Sequence, residues 1–183
     1  MSTPPWIRLQ QNARELASLT ADCRGCVHPL AVVDGVLELG EGSVVKAGTV
    51  IEGRVRIGRN CSIGPNAYLR GDVSIGDGCV VGNAVEVKSS VLGNGVFVSH
   101  LTYIGDSVIE DDVNVGGGCI FSNFRHDAGE IRMPWQGELQ ATGCNKLGCY
   151  VGSGCRIGCK SVILPGRVLP PGTQTYPGSV YRG

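Results

Sequence analysis

From Val33 onward an aliphatic residue recurs every six positions: Val33, Leu39, Val45, Ile51, Ile57, Ile63, Leu69, Ile75, Val81 and Val87. The series restarts one residue early at Leu92, runs through Val98 and Ile104, and restarts early again at Ile109 and Val115. After a break it returns as Val151, Ile157, Ile163 and Leu169. Four positions after the aliphatic stands a small or β-branched residue, as in Ser43, Thr49, Val55, Cys61, Ala67, Val73, Cys79 and Val85. A period of six fits neither the 3.6-residue helix nor the two-residue alternation of a half-buried strand. It fits a hexapeptide of short strand plus turn, three of which close one triangular coil of a parallel β-helix. Residues 18 apart in the sequence then stack on successive coils, about 4.8 Å apart along the axis. The aliphatics point inward, and stacking buries a continuous core that no single coil could bury, over roughly six coils.

Two segments break the period. Residues 4–19 carry Trp6, Leu9, Ala13 and Leu16 at helical spacing after a proline pair, which predicts a short helix covering the open edge of the first coil. Residues 122–146 predict a long protruding loop, and its Arg125, His126, Arg132, Trp135 and Lys146 mark it as functional. The expected organisation is therefore an N-terminal helix and cap over 1–30, a β-helix over 31–172 with the loop 122–146 extruded, and a tail over 173–183. The fold class is all-β.

Composition changes this picture little. The 29 glycines serve the tight turns of a periodic chain. A formal net charge of zero argues against nucleic acid or an anionic membrane as partner, and no run of apolar residues is long enough for a membrane span. The segment MSTPPWIRLQQNAREL does not read as an export signal, so the nine cysteines point to a reducing cytoplasm. Cys61, Cys79, Cys119 and Cys155 hold the small inward position, and Cys149 joins them when the register is extended backward. Cys23-x-x-Cys26, with His28 close by, has a spacing that suits zinc or redox chemistry, whereas Cys144 and Cys149 lack ligand spacing.

Chemistry is sought where the repeat is violated. Arg70 and Lys88 lie 18 apart and stack at one corner, below Asp34 and Glu52 in the same column. Two stacked cations repel unless an anion or a carboxylate lies between them, so the corner reads either as a phosphate site or as a solvated charge ladder. His100 follows Val98 on a coil where the register slips, with Tyr103 and Asn114 downstream.

The stretch from IGPNAYLRGD through EVK, HLTYIGD and VNVGGG to SNF resembles the acetyltransferase domain of the bacterial bifunctional N-acetylglucosamine-1-phosphate uridyltransferase/glucosamine-1-phosphate acetyltransferases. It resembles more closely the C-terminal domains of archaeal-type sugar-1-phosphate nucleotidylyltransferases, which share the run seen here as SNFRHD. The resemblance spans roughly residues 33–170 and implies a left-handed coil, a homotrimer with sites between subunits, and acetyl transfer from acetyl-CoA to the amine of a sugar phosphate. By position it implies that His100 is the general base, that Arg70 and Lys88 hold the phosphate, and that Tyr103, Asn114, Asn123 and Lys146 line the sugar site. Gly117 and Cys159 fall to the acetyl-CoA side, and no residue is assigned to a metal.

The chain departs from the bacterial pattern at Phe124, where a tyrosine is usual, and in a longer loop before Lys146. Its repeat is expected to stop near Gly172, short of the coils that bind coenzyme A in the bacterial enzymes. No nucleotide-binding half is evident, which leaves room for a separate nucleotidyltransferase partner. Two rival readings follow: a non-catalytic trimeric sugar-phosphate-binding or scaffold protein, and a γ-class carbonic anhydrase. The latter needs three converging histidines, and His28, His100 and His126 do not have that spacing.

Overall fold

The computed structural model describes residues 3–183 and consists of one α-helix followed by short parallel strands wound on three faces. The first face carries, among others, Glu86–Lys88, Tyr103–Gly105, Ile120–Phe121, Val162–Ile163 and Val180–Tyr181. The second carries Val91–Leu92, Val108–Ile109, Cys149–Val151 and Arg167–Leu169. Three longer strands, Val32–Leu39, Val50–Ile57 and Tyr68–Ile75, bend across both faces and join them into one 13-stranded sheet. The third face is a seven-stranded sheet running from Cys26–Val27 through Val80–Asn83 and Phe97–His100 to Arg156–Ile157. This is a parallel β-helix of stacked three-sided coils, the architecture expected of left-handed hexapeptide helices.

The six-residue register holds. Every aliphatic of the series from Leu39 to Leu169 is buried, and Phe121 supplies the missing step between Val115 and the loop. Each fully buried Leu or Ile side chain contributes about 1.5–3 kcal/mol, so the column of aliphatics dominates the stability. Cys61, Cys79, Cys119, Cys149 and Cys155 are buried in the same core as free thiols. Val33 is the exception, 41% exposed, because few coils lie before it to cover it.

Two boundaries and the number of coils differ from the sequence reading. Coiling begins before residue 31, since Asp22–Cys23 pairs with Glu38 and Leu39, and Cys26–Val27 pairs with Val44–Val45. It also continues past Gly172: Gln174 bridges to Arg156, and Val180–Tyr181 pairs with Val162–Ile163. With seven strands on the third face, the helix has more coils than the six expected. The tail keeps the coil because Tyr181 packs against the core where an inward aliphatic would stand.

The N-terminal helix, Pro5–Leu16, does not cap the first coil. It lies along the flank, touching Tyr68–Ile75 and Val108–Ile109. Asn12 explains the docking: its Nδ2 donates to the Asp72 carbonyl at 3.1 Å, and its Oδ1 accepts from Ser74 Oγ at 2.5 Å. Arg8 forms an ion pair with Glu110. The loop completes the platform with a hairpin, Arg132–Trp135 against Glu138–Ala141, and Trp6 packs with Ile131, Met133, Trp135 and Leu147 in a second small core. The helix thus pins the loop to the coil. No helix among the described residues is long and apolar enough to cross a membrane.

Candidate functional site

The coil shortens by one residue at a single edge, the one between the first and second faces. Pairing moves from 18 residues per turn, Arg70 with Lys88, to 17, Ser74 with Val91 and Val91 with Val108. The shortened corners are therefore at Ser89–Ser90 and Asp106–Ser107, and the long loop leaves from the same edge one coil later. Buried hydroxyls hold these corners. Ser90 Oγ donates to the Lys88 carbonyl at 2.7 Å and accepts from the Ser107 N–H at 3.0 Å; Ser107 Oγ donates to the Gly105 carbonyl at 2.8 Å. The slip was expected to aim His100, but it falls on the other edge of the first face and positions Lys88 and Asp106 instead.

Around this edge the structure gathers four of the expected residues. Asp34, Glu52, Arg70 and Lys88 do form one column. Both cations are already paired: Arg70 Nε donates to Glu86 Oε1 at 2.7 Å, and Lys88 Nζ donates to both Asp106 oxygens at 2.8 and 2.7 Å. Asn123 Nδ2 donates to the same Asp106 carboxylate. Tyr68 donates to Glu52, and the Arg70 guanidinium lies 5.6 Å from the Tyr68 ring centre. The Tyr103 hydroxyl and the Asn123 amide fold over the space that a side chain on Gly105 would fill. Burial, then the Asp106 and Glu86 carboxylates, push the Tyr103 phenol above its ordinary value, so it stays a hydrogen-bond donor.

The anion corner anticipated from Arg70 and Lys88 is thus not an open cationic patch. Three carboxylates, Glu52, Glu86 and Asp106, face two cations, because outward positions of neighbouring coils stand one strand spacing apart and charge alternation is the cheap solution. Such a face suits hydroxyls and an ammonium group as well as a phosphate. Lys146 reaches the neighbourhood from the loop side. It bridges Phe124, with Nζ 6.0 Å from that ring centre, and shares a cavity of about 250 Å³ with Asp72, Ser89, Asp106 and Trp6.

The remaining expected residues lie elsewhere. His100 stands on the edge between the third and first faces, paired with Asn83 on one coil and followed by Gly117 and Cys159 on the next two. Its imidazole is exposed, and its carbonyl is held by Thr102 Oγ1 at 2.8 Å. A side chain at Gly117 would begin 3.4 Å from His100 Cβ, so the missing Cβ keeps the ground beside the imidazole open. Cys159 is an exposed free thiol further along this edge. Leu101 stands beside His100 at φ 51° and 65% exposed, a strained and solvent-facing setting for an apolar residue. Asn114 projects from the third face, between Phe97 and Arg156, and does not join the Tyr103 cluster within one chain. The geometry therefore offers two half-sites, a polar cluster and a histidine edge, on opposite borders of the first face.

Sequence reasoning missed Asp106 and Glu86, the carboxylates that organise the cluster. For Asp106 the signal was the 18-residue spacing, which continues the column of Asp34, Glu52, Arg70 and Lys88. Cys23 and Cys26 are exposed on the first coil, and among the described residues no three His, Cys, Asp or Glu side chains gather as a metal-holding group.

Residues 54–89 match the family model of the bacterial transferase hexapeptide (six repeats). The chain is 41% identical over 97 residues to a bifunctional sugar-1-phosphate nucleotidylyltransferase/acetyltransferase of Sulfurisphaera tokodaii, covering 53% of this chain and 24% of the relative. It is 42% identical over 162 residues to the bifunctional protein GlmU of Methanococcus maripaludis, covering 88% of this chain and 39% of the relative. The chain thus spans well under half the length of these relatives. Among solved structures, a putative acetyltransferase from Desulfovibrio desulfuricans G20 superposes with a TM-score of 0.56 at 17% identity, over 99% of this chain and 31% of that one, a likeness of fold. The chain carries the bacterial transferase hexapeptide on a β-helix, and its sequence relatives are bifunctional nucleotidylyltransferase/acetyltransferases and GlmU proteins.

Proposed function

We propose that the protein transfers an acetyl group from acetyl-CoA to the amine of an amino-sugar phosphate, in a homotrimer that completes each site between two protomers. The observation that carries this reading is the gathering of Arg70, Lys88, Tyr103 and Asn123 on one border of a face whose other border holds an exposed His100 beside open ground at Gly117. A threefold assembly sets the histidine edge of one protomer against the polar cluster of the next, which gives the two half-sites a common substrate. In the reaction the amine nitrogen attacks the thioester carbonyl, a C–N bond forms and the C–S bond breaks. The His100 imidazole takes the proton that the nitrogen loses and returns it to the departing thiolate. Arg70 and Lys88 hold the phosphate away from the reacting centre and so orient the amine. Glu86 and Asp106 fix the two cations and favour an amine-bearing sugar over a plain one. Acetyl-CoA runs along the edge of Gly117 and Cys159. The nine free thiols suit a cytoplasmic, reducing setting.

The test is to incubate the protein with acetyl-CoA and a panel of amino-sugar phosphates, and to identify products by mass spectrometry while following alkylation of Cys159. Acetylated product, a turnover reduced about tenfold to a thousandfold in His100→Ala, and slower alkylation of Cys159 under acetyl-CoA are expected. Absence of product together with unprotected Cys159 refutes the transferase. Sugar-phosphate binding under those conditions would instead support the non-catalytic trimeric binding protein.

A further inference from the structure

A cluster of positive charge outside this site lies under the root of the loop. Arg125, His126, Asp127 and Arg132 from the loop, with Leu164, Pro165 and Arg167 from the last full coil, line a cavity of about 420 Å³, within the usual range of small-molecule sites. The cavity has fixed walls. Gly166, at φ 70°, lets the coil approach the Arg132 carbonyl so closely that a side chain there would clash at 2.6 Å. The Ile131 N–H donates to the Cys144 carbonyl at 2.8 Å, and the Ile131 side chain is buried beneath Trp6.

The charges in it do not balance. Arg125 is engaged by Asp127, with Nε to Oδ1 at 2.8 Å and Nη2 to Oδ2 at 2.5 Å. Arg132 Nη2 donates to the Leu139 carbonyl at 3.1 Å, and Arg132 has no ion pair among the described residues. Arg167 has no ion pair among the described residues, and its Nε is shut off from solvent with no acceptor. A buried guanidinium nitrogen without an acceptor is costly, and native proteins leave few of them. Three arginines against one carboxylate leave two positive charges facing a cavity roomy enough for a small molecule. Arginine forks match phosphate oxygens bidentately.

We propose that this cavity binds the diphosphate of a small molecule, a group whose diester form carries the two negative charges that the arginines lack. Arg167 and Arg132 are the principal ligands, and Arg125 is held ready by Asp127. The diphosphate belongs either to a coenzyme A-type or to a nucleotide-sugar-type molecule, and the cavity opens one residue from Asn123, beside the polar cluster. The proposal does not require acyl transfer.

Titration calorimetry and melting of the full chain with pyrophosphate, UDP and coenzyme A test it. Saturable binding of pyrophosphate is expected, with UDP or coenzyme A binding at least about tenfold more tightly; the carrier is the one whose binding Arg167→Gln weakens, because coenzyme A has its own proposed place along Gly117 and Cys159. Arg167→Gln should weaken that binding at least about tenfold while melting no lower than the wild type, since it removes an uncompensated charge. Arg132→Gln should weaken it also, and serves alone if Arg167→Gln fails to fold. Arg59→Gln, whose pair with Asp77 lies outside both sites, should bind pyrophosphate unchanged; pyrophosphate is neither acetyl donor nor acceptor, so its binding reads this site apart from the transferase reading. The proposal falls if none of the three ligands binds the wild type, if both arginine variants bind as the wild type does, or if pyrophosphate binds and neither carrier improves on it, which marks an adventitious anion only.

Discussion

Asp106→Asn is the sharpest probe of the polar edge. Asp106 receives both bonds of Lys88 Nζ and the amide of Asn123, and the side chains of the ion pair are only 19% and 15% exposed. Exposed pairs are worth about 0–1 kcal/mol, and removing one partner of a fully buried pair costs about 3–5 kcal/mol. This pair lies between, so the loss should be about 2 kcal/mol. Asparagine keeps the shape and tolerates the backbone at φ 45°, so the change isolates charge from strain. In a domain of this size about 1 kcal/mol moves the melting temperature ~2–4 °C, which predicts a fall of roughly 4–8 °C. Melting at fixed protein concentration measures it, with urea unfolding to confirm that the slope is unchanged. Arg59→Gln is the control, because the Arg59–Asp77 pair is 69% and 45% exposed and should cost no more than about 0.5 kcal/mol. Adding Lys88→Met to Asp106→Asn should restore part of the stability, since the stranded cation is then gone. A fall no larger than the Arg59→Gln control, or no recovery in the double variant, would refute the claim that Asp106 anchors Lys88.

Three further outcomes follow from the same coordinates. Native thiol titration should show Cys23, Cys26 and Cys159 reacting fast and Cys144 slower, with the five core cysteines reacting only after denaturation; burial has pushed Cys149 up to about 12. Phe121→Ala should cost about 3–5 kcal/mol by chemical denaturation, because that ring is fully buried in the coil that carries the loop. The Tyr103 phenol, raised by burial and by Asp106 and Glu86, should ionise above the ordinary tyrosine value of about 10 in a wild-type minus Tyr103→Phe alkaline difference spectrum. By the sign of that shift its contribution to stability is intact below the unfolded value and is lost as pH rises through the raised folded one.

What the sequence disclosed and what it withheld separate along a physical line. The inward aliphatics, the small corner residues and the stacked column of Asp34, Glu52, Arg70 and Lys88 were legible because the repeat fixes both burial and register, and neighbours 18 residues apart must touch. The helix was legible as a helix, but its seat was not, since Asn12 and Arg8 choose the flank through bonds to Asp72, Ser74 and Glu110, residues about 60–100 positions away. The continuation of the coil to Tyr181 was hidden because an aromatic takes an aliphatic's place and Gln174 contributes only a single bridge. The ion pairs of Arg70 and Lys88 were hidden for another reason. Their partners come from the neighbouring coil: Glu86 reaches Arg70 diagonally, 16 residues on, and Asp106 stands 18 residues after Lys88 although the slip sets Gly105 opposite it.

The slip lies where the polar residues of the candidate site gather, although ion pairs such as Arg54–Asp72 and Arg59–Asp77 line the regular coils too. A regular run of 18-residue coils presents its outward residues in straight columns, and pairs 18 apart, such as Arg54 with Asp72, already meet there. Taking one residue out at Ser89–Ser90 and again at Asp106–Ser107 tightens the corner, and the backbone groups this disturbs are met by the buried hydroxyls of Ser90 and Ser107. Asp106, 18 residues after Lys88, bonds it from the shortened corner, and Asn123 follows one coil on. The loop then leaves from this same edge, and the helix clamps it there through Trp6. Each step trades regularity for proximity, and the side chains brought together are the ones whose types fit sugar and phosphate. The histidine edge, by contrast, keeps its regular corner and stays open at Gly117. A rigid coil therefore supplies a fixed polar cluster on one border and an accessible imidazole on the other, the two half-sites that the proposed trimer would join.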